Sequence, residues 1–450
     1  MSTPTSLLVR RSGPLRGSCG VPGDKSISHR ALLFGALTDG VVEITGLGRG
    51  GDNLSTAAAL QALGVQIQID RIDGTAARIV GVGFAGLRAP AGAIDCGNSG
   101  TTIRLLAGIL AGRPFEAELF GDASLTRRPM RRVATPLRQM GATIDGRIEP
   151  SRPGDIFPPL RIRGGALRGI TYDLPVASAQ LKTALILAGL QAQGPTVLRE
   201  PARSRDHTER MLRSLGAPIS IDGGGAITVA PDGWDGRLRA TQLAIPGDLS
   251  SATFLIVAAL TVPGSDVVIE KVGLNPTRAG ALDALAAMGA DLTVEITGDA
   301  MGEPVGRVRA RASRLRGTRI EGDLALRAID EIPALAVAAA LAEGETVFGD
   351  LAELRIKESD RIAALARELG RAGVGIEERP DGFVVTGLGG RAPGGGVVVP
   401  EHDHRIAMAG AVLGLTASGE TRIPAADIAT SFPSFATTLT ALGASLETAP

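Results

Sequence analysis

Six short segments of this chain concentrate side chains that can grip an anion or move a proton. They are Lys25-Ser26-Ile27-Ser28-His29-Arg30, Gly97-Asn98-Ser99-Gly100-Thr101, Leu125-Thr126-Arg127-Arg128, Ala177-Ser178-Ala179-Gln180, Arg203-Ser204-Arg205-Asp206-His207 and Arg355-Ile356-Lys357-Glu358-Ser359-Asp360-Arg361. Two further motifs, Ile329-Asp330-Glu331 and His402-Asp403-His404-Arg405, add carboxylates and another guanidinium. Guanidinium and ammonium groups beside hydroxyls and glycine amides are the donor set for phosphates and carboxylates. Asp330, at the start of an apolar run, can act as a helix cap or as a general base. Lysine is otherwise almost excluded: Lys25, Lys182, Lys271 and Lys357 stand against 43 arginines. Because the two cations are interchangeable on a solvated surface but not where a compact amine is needed, these few lysines are the stronger functional candidates.

Several tempting readings fail on spacing. The stretch Gly23-Asp24-Lys25-Ser26 suggests a phosphate-binding P-loop, but that motif needs glycine directly before the lysine, where this chain has Asp24. The turn ending in Gly100 lets a ligand approach backbone amides closely. Ser178, Ala179 and Gln180 precede a long apolar helix and make a second cradle of this kind. His402 and His404 at i and i+2, with no Cys or further His nearby, are a weak metal pair, and Arg405 reads better as an anion ligand. No metal is expected.

The elements that must position these residues repeat. Six amphipathic stretches end in a glycine followed by Ala or Val, at Gly64, Gly141, Gly216, Gly289, Gly373 and Gly443, so the period is about 75 residues. Before the glycines, apolar residues recur at helical spacing, as in Ile362, Leu365, Leu369 and Ala372; after them comes a strand-like alternation such as Val65-Gln66-Ile67-Gln68-Ile69. Six α/β units fill the chain. Pro22-Gly23-Asp24-Lys25-Ser26 is echoed by Pro246-Gly247-Asp248-Leu249-Ser250, which divides the six into two halves of three. Such paired Pro-Gly turns suit two strands crossing between lobes beside a cleft. The expected organisation is one lobe of residues 19–245 and another of 1–18 with 246–450. Polar clusters precede these six helices, at Gly51-Asp52-Asn53, Leu125 to Pro129, Arg203 to Glu209, Asn275 to Arg278, Arg355 to Arg361 and Thr430 to Pro433. Cations at a helix N-terminus oppose the macrodipole by a few tenths of a kcal/mol, so Arg128, Arg205 and Lys357 imply an anionic ligand that reverses the sign.

Composition narrows the function. With 44% hydrophobic and 21% charged residues the chain can bury a large core. Its formal net charge is zero and its aromatics amount to 3%, which disfavours nucleic-acid and anionic-membrane partners. Cys19 and Cys96 cannot build a disulfide scaffold, and no apolar run is long enough for a leader or a membrane span, so a cytoplasmic protein is expected.

Taken together and in order, these motifs resemble the 5-enolpyruvylshikimate-3-phosphate synthase family (3-phosphoshikimate 1-carboxyvinyltransferases) over essentially the whole chain. Gly121-Asp122-Ala123-Ser124-Leu125-Thr126 and Arg205-Asp206-His207-Thr208-Glu209 look like its bacterial class II branch. The resemblance implies an α/β fold of two similar lobes, each of three βαβαββ units, an inside-out α/β barrel. It implies transfer of the enolpyruvyl group of phosphoenolpyruvate to the 5-hydroxyl of shikimate 3-phosphate, without metal or organic cofactor, by a monomer. By the same resemblance Lys25, Ser26, Arg30, Ser178, Ala179, Gln180, Arg205, Asp330 and Lys357 hold shikimate 3-phosphate. Lys25, Gly100, Arg128, Gln180, Arg361 and Arg405 face phosphoenolpyruvate. Asp330 is the base and Glu358 the proton donor, with Lys25 assisting either transfer. Gly100, where an alanine would crowd inhibitors of the phosphoenolpyruvate site, implies sensitivity to glyphosate. The sequence departs from many members in having Thr430-Ser431 where a lysine is common near the last helix. The related UDP-N-acetylglucosamine enolpyruvyl transferases use a cysteine in a mobile loop, and Cys96 sits in a different context. A non-catalytic anion-binding protein on the same repeats is disfavoured by the intact Lys25, Asp330, Glu358 and Arg361.

Overall fold

The computed structural model describes residues 6–70, 74–424 and 427–449. Each repeat is a βαβαββ unit, and the second shows the pattern in full. Strand Ile94–Asp95 leads into helix Gly100–Leu110, strand Glu116–Phe120, helix Arg131–Gln139 and the hairpin of Thr143–Arg147 with Phe157–Arg163. The first two strands pair in parallel, with Ile94 opposite Leu119, and the helix between them makes that crossover feasible. The hairpin pairs antiparallel, with Leu119 opposite Leu160 and Ile144 opposite Ile162. This register puts Leu119, Ile144, Leu160 and Ile162 on one buried face, while Glu116, Glu118, Arg161 and Arg163 face water.

The same four-strand order recurs six times, and in three sheets a strand distant in sequence completes it. Gln242–Ala244 lies parallel to Asp39–Thr45 in the first sheet, and Arg16–Cys19 parallel to Asp266–Gly273 in the fourth. In the sixth, Ser6–Val9 runs antiparallel to both Thr421–Ile423 and Leu446–Ala449. The architecture is therefore the six-repeat α/β arrangement expected from the sequence.

Residues 23–245, joined by 299–303, form one compact unit; residues up to 22 with 246–298 and 304–450 form the other. The main chain crossings between them are at Pro22-Gly23 and at Ile245-Pro246, with a brief return to the first unit over Asp299–Glu303. Gly23 is required there, since a Cβ would stand 1.7 Å from the carbonyl oxygen of Gly46.

Each unit has its own core. In the first, helices Lys25–Ala36, Gly100–Leu110 and Ala179–Gly189 are apolar on nearly every face and buried accordingly. Gly108 permits the last two to touch, because a Cβ at that position would lie 2.2 Å from the carbonyl oxygen of Ala184. The second unit repeats the design with Leu249–Thr261, Ile332–Ala340 and His404–Gly414, the last two buried throughout. The amphipathic helices, such as Arg361–Arg371 with Ile362, Leu365 and Leu369 inward, cover the sheets from the outside. Both kinds of helix present N-terminal turns bearing the polar motifs.

Candidate active site

In the first unit the polar motifs occupy helix starts that are stitched to one another. Lys25 is the first residue of its helix, capped by Asp24, whose Oδ1 accepts from the Ile27 amide at 2.8 Å. Its ammonium lies 2.5 Å from Oδ2 of Asp52, at the start of the next helix, and its carbonyl accepts from Asn53 Nδ2 at 2.9 Å. Ser99 caps the Gly100 helix and Ser178 the Ala179 helix, each through its hydroxyl. Gln180 ties those two helices together: its Nε2 donates to Thr101 Oγ1 at 2.9 Å and its Oε1 accepts from Arg104 Nη1 at 2.7 Å. Arg128 follows a short 3-10 turn and donates to Asn98 Oδ1 at 2.7 Å. Lys25, Ser26, Gly100, Arg128, Ser178, Ala179 and Gln180 thus all lie at or just before helix N-termini, where free amides and dipole favour an anion.

Arg30 is held more tightly. Its Nε donates to Thr208 Oγ1 at 2.7 Å, its Nη2 to Thr183 Oγ1 at 2.9 Å and its Nη1 to the Ser26 carbonyl at 2.9 Å. Burial pulls this guanidinium down to about 10; nearby carboxylates, Glu209 first, oppose that, and Arg205 adds to it. A buried guanidinium whose charge is opposed by burial is stabilised by any anion that approaches it.

The second unit assembles Asp330, Lys357, Glu358, Arg361 and Arg405. Oδ1 of Asp330 is 3.5 Å from Lys357 Nζ and 3.7 Å from Arg361 Nη1, and the Asp330 carbonyl accepts from Arg405 Nη1 at 2.8 Å. Arg361 is fully buried. Its Nη2 donates to Glu358 Oε2 at 2.7 Å and its Nε to Asp403 Oδ2 at 2.8 Å. Burial works against its charge, but Glu358, Asp403 and Asp330 outweigh that and hold the guanidinium above its ordinary range. Among the described residues Nη1 of Arg361 has no hydrogen-bond partner. An unsatisfied buried donor costs about 1–3 kcal/mol, so its retention points to a ligand that satisfies it.

Other residues that shape the site carried only weak signals in the sequence. Asp52 and Asp403 look like simple caps until their cation partners are placed 27 and 42 residues away. Arg104 stands in the Gly100 motif, but nothing local marks it as the clamp on Gln180. The two histidines of the His402 motif part company: His402 is exposed against Asp427 at 3.0 Å, whereas His404 is buried. Cys96 is buried, and burial pushes its thiol up to about 12, the wrong direction for a reactive cysteine in a mobile loop. No helix among the described residues is long and apolar enough to cross a membrane.

The whole chain has close counterparts. A family model of EPSP synthase (3-phosphoshikimate 1-carboxyvinyltransferase) matches residues 9–439. The 3-phosphoshikimate 1-carboxyvinyltransferase of Gloeobacter violaceus is 53% identical, over 94% of this chain and 95% of its own. That of Desulforudis audaxviator is 52% identical, over 97% and 99%. Among solved structures, EPSP synthase from Acinetobacter baumannii is 43% identical and superposes with a TM-score of 0.88, covering 99% of this chain and all of the other. With the family model spanning residues 9–439 and relatives more than 50% identical over 94–97% of the chain, the chain belongs to the EPSP synthase (3-phosphoshikimate 1-carboxyvinyltransferase) family.

Proposed function

We propose that this chain transfers the enolpyruvyl group of phosphoenolpyruvate to the 5-hydroxyl of shikimate 3-phosphate and releases inorganic phosphate. The observation that carries the reading is the Asp330 carboxylate, flanked by Lys357 at 3.5 Å and by a buried Arg361 with one unsatisfied donor at 3.7 Å. A base next to cations serves a reaction that must deprotonate a hydroxyl beside two phosphorylated substrates. Attack of the 5-oxygen on C2 of phosphoenolpyruvate needs a proton delivered to C3, giving a tetrahedral adduct; loss of a C3 proton and of the phosphate then yields the enol ether.

The residues divide by role. Lys25, Ser26, Arg30, Ser178, Ala179, Gln180, Arg205, Asp330 and Lys357 bind shikimate 3-phosphate. Lys25, Gly100, Arg128, Gln180, Arg361 and Arg405 bind phosphoenolpyruvate. Asp330 takes the hydroxyl proton. Glu358 protonates C3, with Lys25 supporting either transfer. Glu358 is an ion-pair partner of Arg361 in the free protein, so an anionic substrate that claims Arg361 also loosens Glu358 for proton transfer. The thiol chemistry of a UDP-N-acetylglucosamine enolpyruvyl transferase is not supported, given that Cys96 is buried and burial disfavours its thiolate. Glyphosate competes at the phosphoenolpyruvate residues, and the protein acts as a cytoplasmic monomer.

The test is direct. Purified protein given both substrates releases phosphate, and Asp330→Ala and Lys25→Ala each reduce the rate by roughly a hundredfold or more, the scale of general acid–base catalysis. Wild-type protein that binds the substrates without releasing phosphate rejects the assignment.

A further inference from the structure

Lys182 is the one lysine of the four that is fully buried, and no step of the reaction uses it. It sits on the Ala179–Gly189 helix, and its backbone amide donates to the Ser178 carbonyl. Its ammonium reaches two carboxylates: Glu200 Oε2 at 2.7 Å and Glu209 Oε1 at 2.8 Å. All three side chains are at most 7% exposed. The third contact of the ammonium is the Ser204 carbonyl at 3.4 Å, and the Ser204 hydroxyl in turn donates to Glu200. One cation therefore fastens three points of a single segment, residues 200, 204 and 209. Arg205 lies inside that segment, next to the fastened Ser204.

Among the described residues the other charged groups around the triad have hydrogen-bond partners of their own, although Arg30 also feels the charge of Glu209. Asp206, beside Arg205, is itself bound to Arg203 and Arg210, each at 2.9 Å. His207 pairs with Glu303 at 2.9 Å, and Arg30 from the Lys25–Ala36 helix is occupied by Thr183 and Thr208. Burial raises Glu209 above the ordinary carboxylate range, with Asp206 adding to the rise and Lys182 opposing it. A buried ion triad is a poor source of stability. A geometric role explains its presence better.

We propose that Lys182 is a positioning residue that fixes the backbone carrying Arg205 by clamping Glu200, Ser204 and Glu209 into one rigid segment. The inference rests on the reading of Arg205 as a ligand of shikimate 3-phosphate and deepens it. Preorganised charge binds an anion without paying to order the loop first.

Two variants read this out. Lys182→Met removes the clamp but strands two carboxylates, so its folding is checked by thermal midpoint. The triple variant K182M/E200Q/E209Q replaces the triad with neutral groups of matching shape, an exchange that buried ion clusters often tolerate. In the folded triple variant KM for shikimate 3-phosphate rises by roughly tenfold, the loss of one charge-assisted contact, while KM for phosphoenolpyruvate at saturating co-substrate and kcat change by less than about threefold. In an Arg205→Ala background the triple substitution adds nothing further, because both changes remove the same contact. In Lys182→Met the KM for shikimate 3-phosphate climbs with pH as the stranded carboxylates ionise, a dependence absent from the triple variant. If Arg205→Ala leaves that KM unchanged, the ligand reading of Arg205 fails. If Arg205→Ala raises it but the folded triple variant matches the wild type, or the two effects add, the clamp is only structural and the proposal is overturned.

Discussion

Nη2 of Arg361 lies 2.7 Å from Oε2 of Glu358 while Nε of the same guanidinium lies 2.8 Å from Oδ2 of Asp403. One buried cation is thus shared between a carboxylate assigned a proton-transfer role and one that serves only as an anchor. The two partners differ in solvent access: Asp403 is fully buried and Glu358 is 29% exposed. A substrate anion can therefore displace Glu358 but not Asp403. Glu358→Gln is expected to lower kcat by roughly a hundredfold, as for loss of a general acid, with phosphoenolpyruvate affinity unchanged or tighter because Arg361 is released. Steady-state kinetics with a direct binding measurement decides it. A kcat within about threefold of wild type removes Glu358 from proton transfer.

Asp403 predicts a different signature. It accepts from Arg361 and from the Ser359 hydroxyl at 3.0 Å, and caps the His404–Gly414 helix through the Arg405 amide at 2.9 Å. Asp403→Asn leaves a buried guanidinium under-compensated and is expected to cost about 3 kcal/mol of stability. KM for phosphoenolpyruvate rises in the same variant, since Arg361 loses its charged anchor, whereas the asparagine Oδ1 can still cap the helix through the Arg405 amide. Denaturant unfolding and kinetics on one preparation test the pair; a stability loss below about 1 kcal/mol would show that Asp403 is not the anchor.

The contrast between Asp403 and the repeat pattern shows what could be read from the sequence. The helices that end in Gly64, Gly141 and Gly216 were legible because amphipathic spacing and a C-terminal glycine are local signals. Which strand completes each sheet was not. Ser6–Val9 alternates weakly and gives no hint that it pairs with Thr421–Ile423, more than 400 residues away. The same limit governs the site. Lys25, Arg30, Asp330 and Arg361 stand in dense motifs, whereas Glu200, Glu209 and Lys182 become a triad only when helix and loop are folded together. Lysine scarcity marked Lys182, but it could not name its partners.

Gly100 yields a prediction about an inhibitor. A Cβ at this position would stand 2.7 Å from Arg104 Nη1 and 3.1 Å from Arg128 Nη1, the flexible ends of two cations. Both can shift by a few tenths of an ångström, so Gly100→Ala is expected to fold. The added methyl narrows the space left for a ligand larger than phosphoenolpyruvate. The inhibition constant for glyphosate is expected to rise by roughly tenfold or more, about 1.4 kcal/mol, with a smaller rise in KM for phosphoenolpyruvate. Equal inhibition of wild type and variant would dissociate Gly100 from the inhibitor site.

His29 supplies a pH test of the first unit. It is completely buried, its Nδ1 is 2.7 Å from Thr56 Oγ1, and its Nε2 has no hydrogen-bond partner among the described residues. Burial pulls its pKa down to about 3, with Lys25 and Arg30 adding to the effect and Asp52 opposing it. The unfolded chain binds the proton at about 6.5, so between those values the unfolded state holds more protons than the folded one. The stability linked to His29 is therefore fully present above about pH 6.5 and is lost as pH falls toward 3, at about 1.4 kcal/mol per pH unit. His29→Gln cannot take up that proton. At pH 7 the variant is expected to be less stable than wild type by about 1 kcal/mol, through the altered buried hydrogen bond. By pH 5 the gap should close or reverse, because the wild type alone has lost about 2 kcal/mol to His29 protonation. Denaturant titrations of both proteins at pH 7, 6 and 5 measure this, and a gap that stays constant across the three values means that His29 is not the acid-sensitive group.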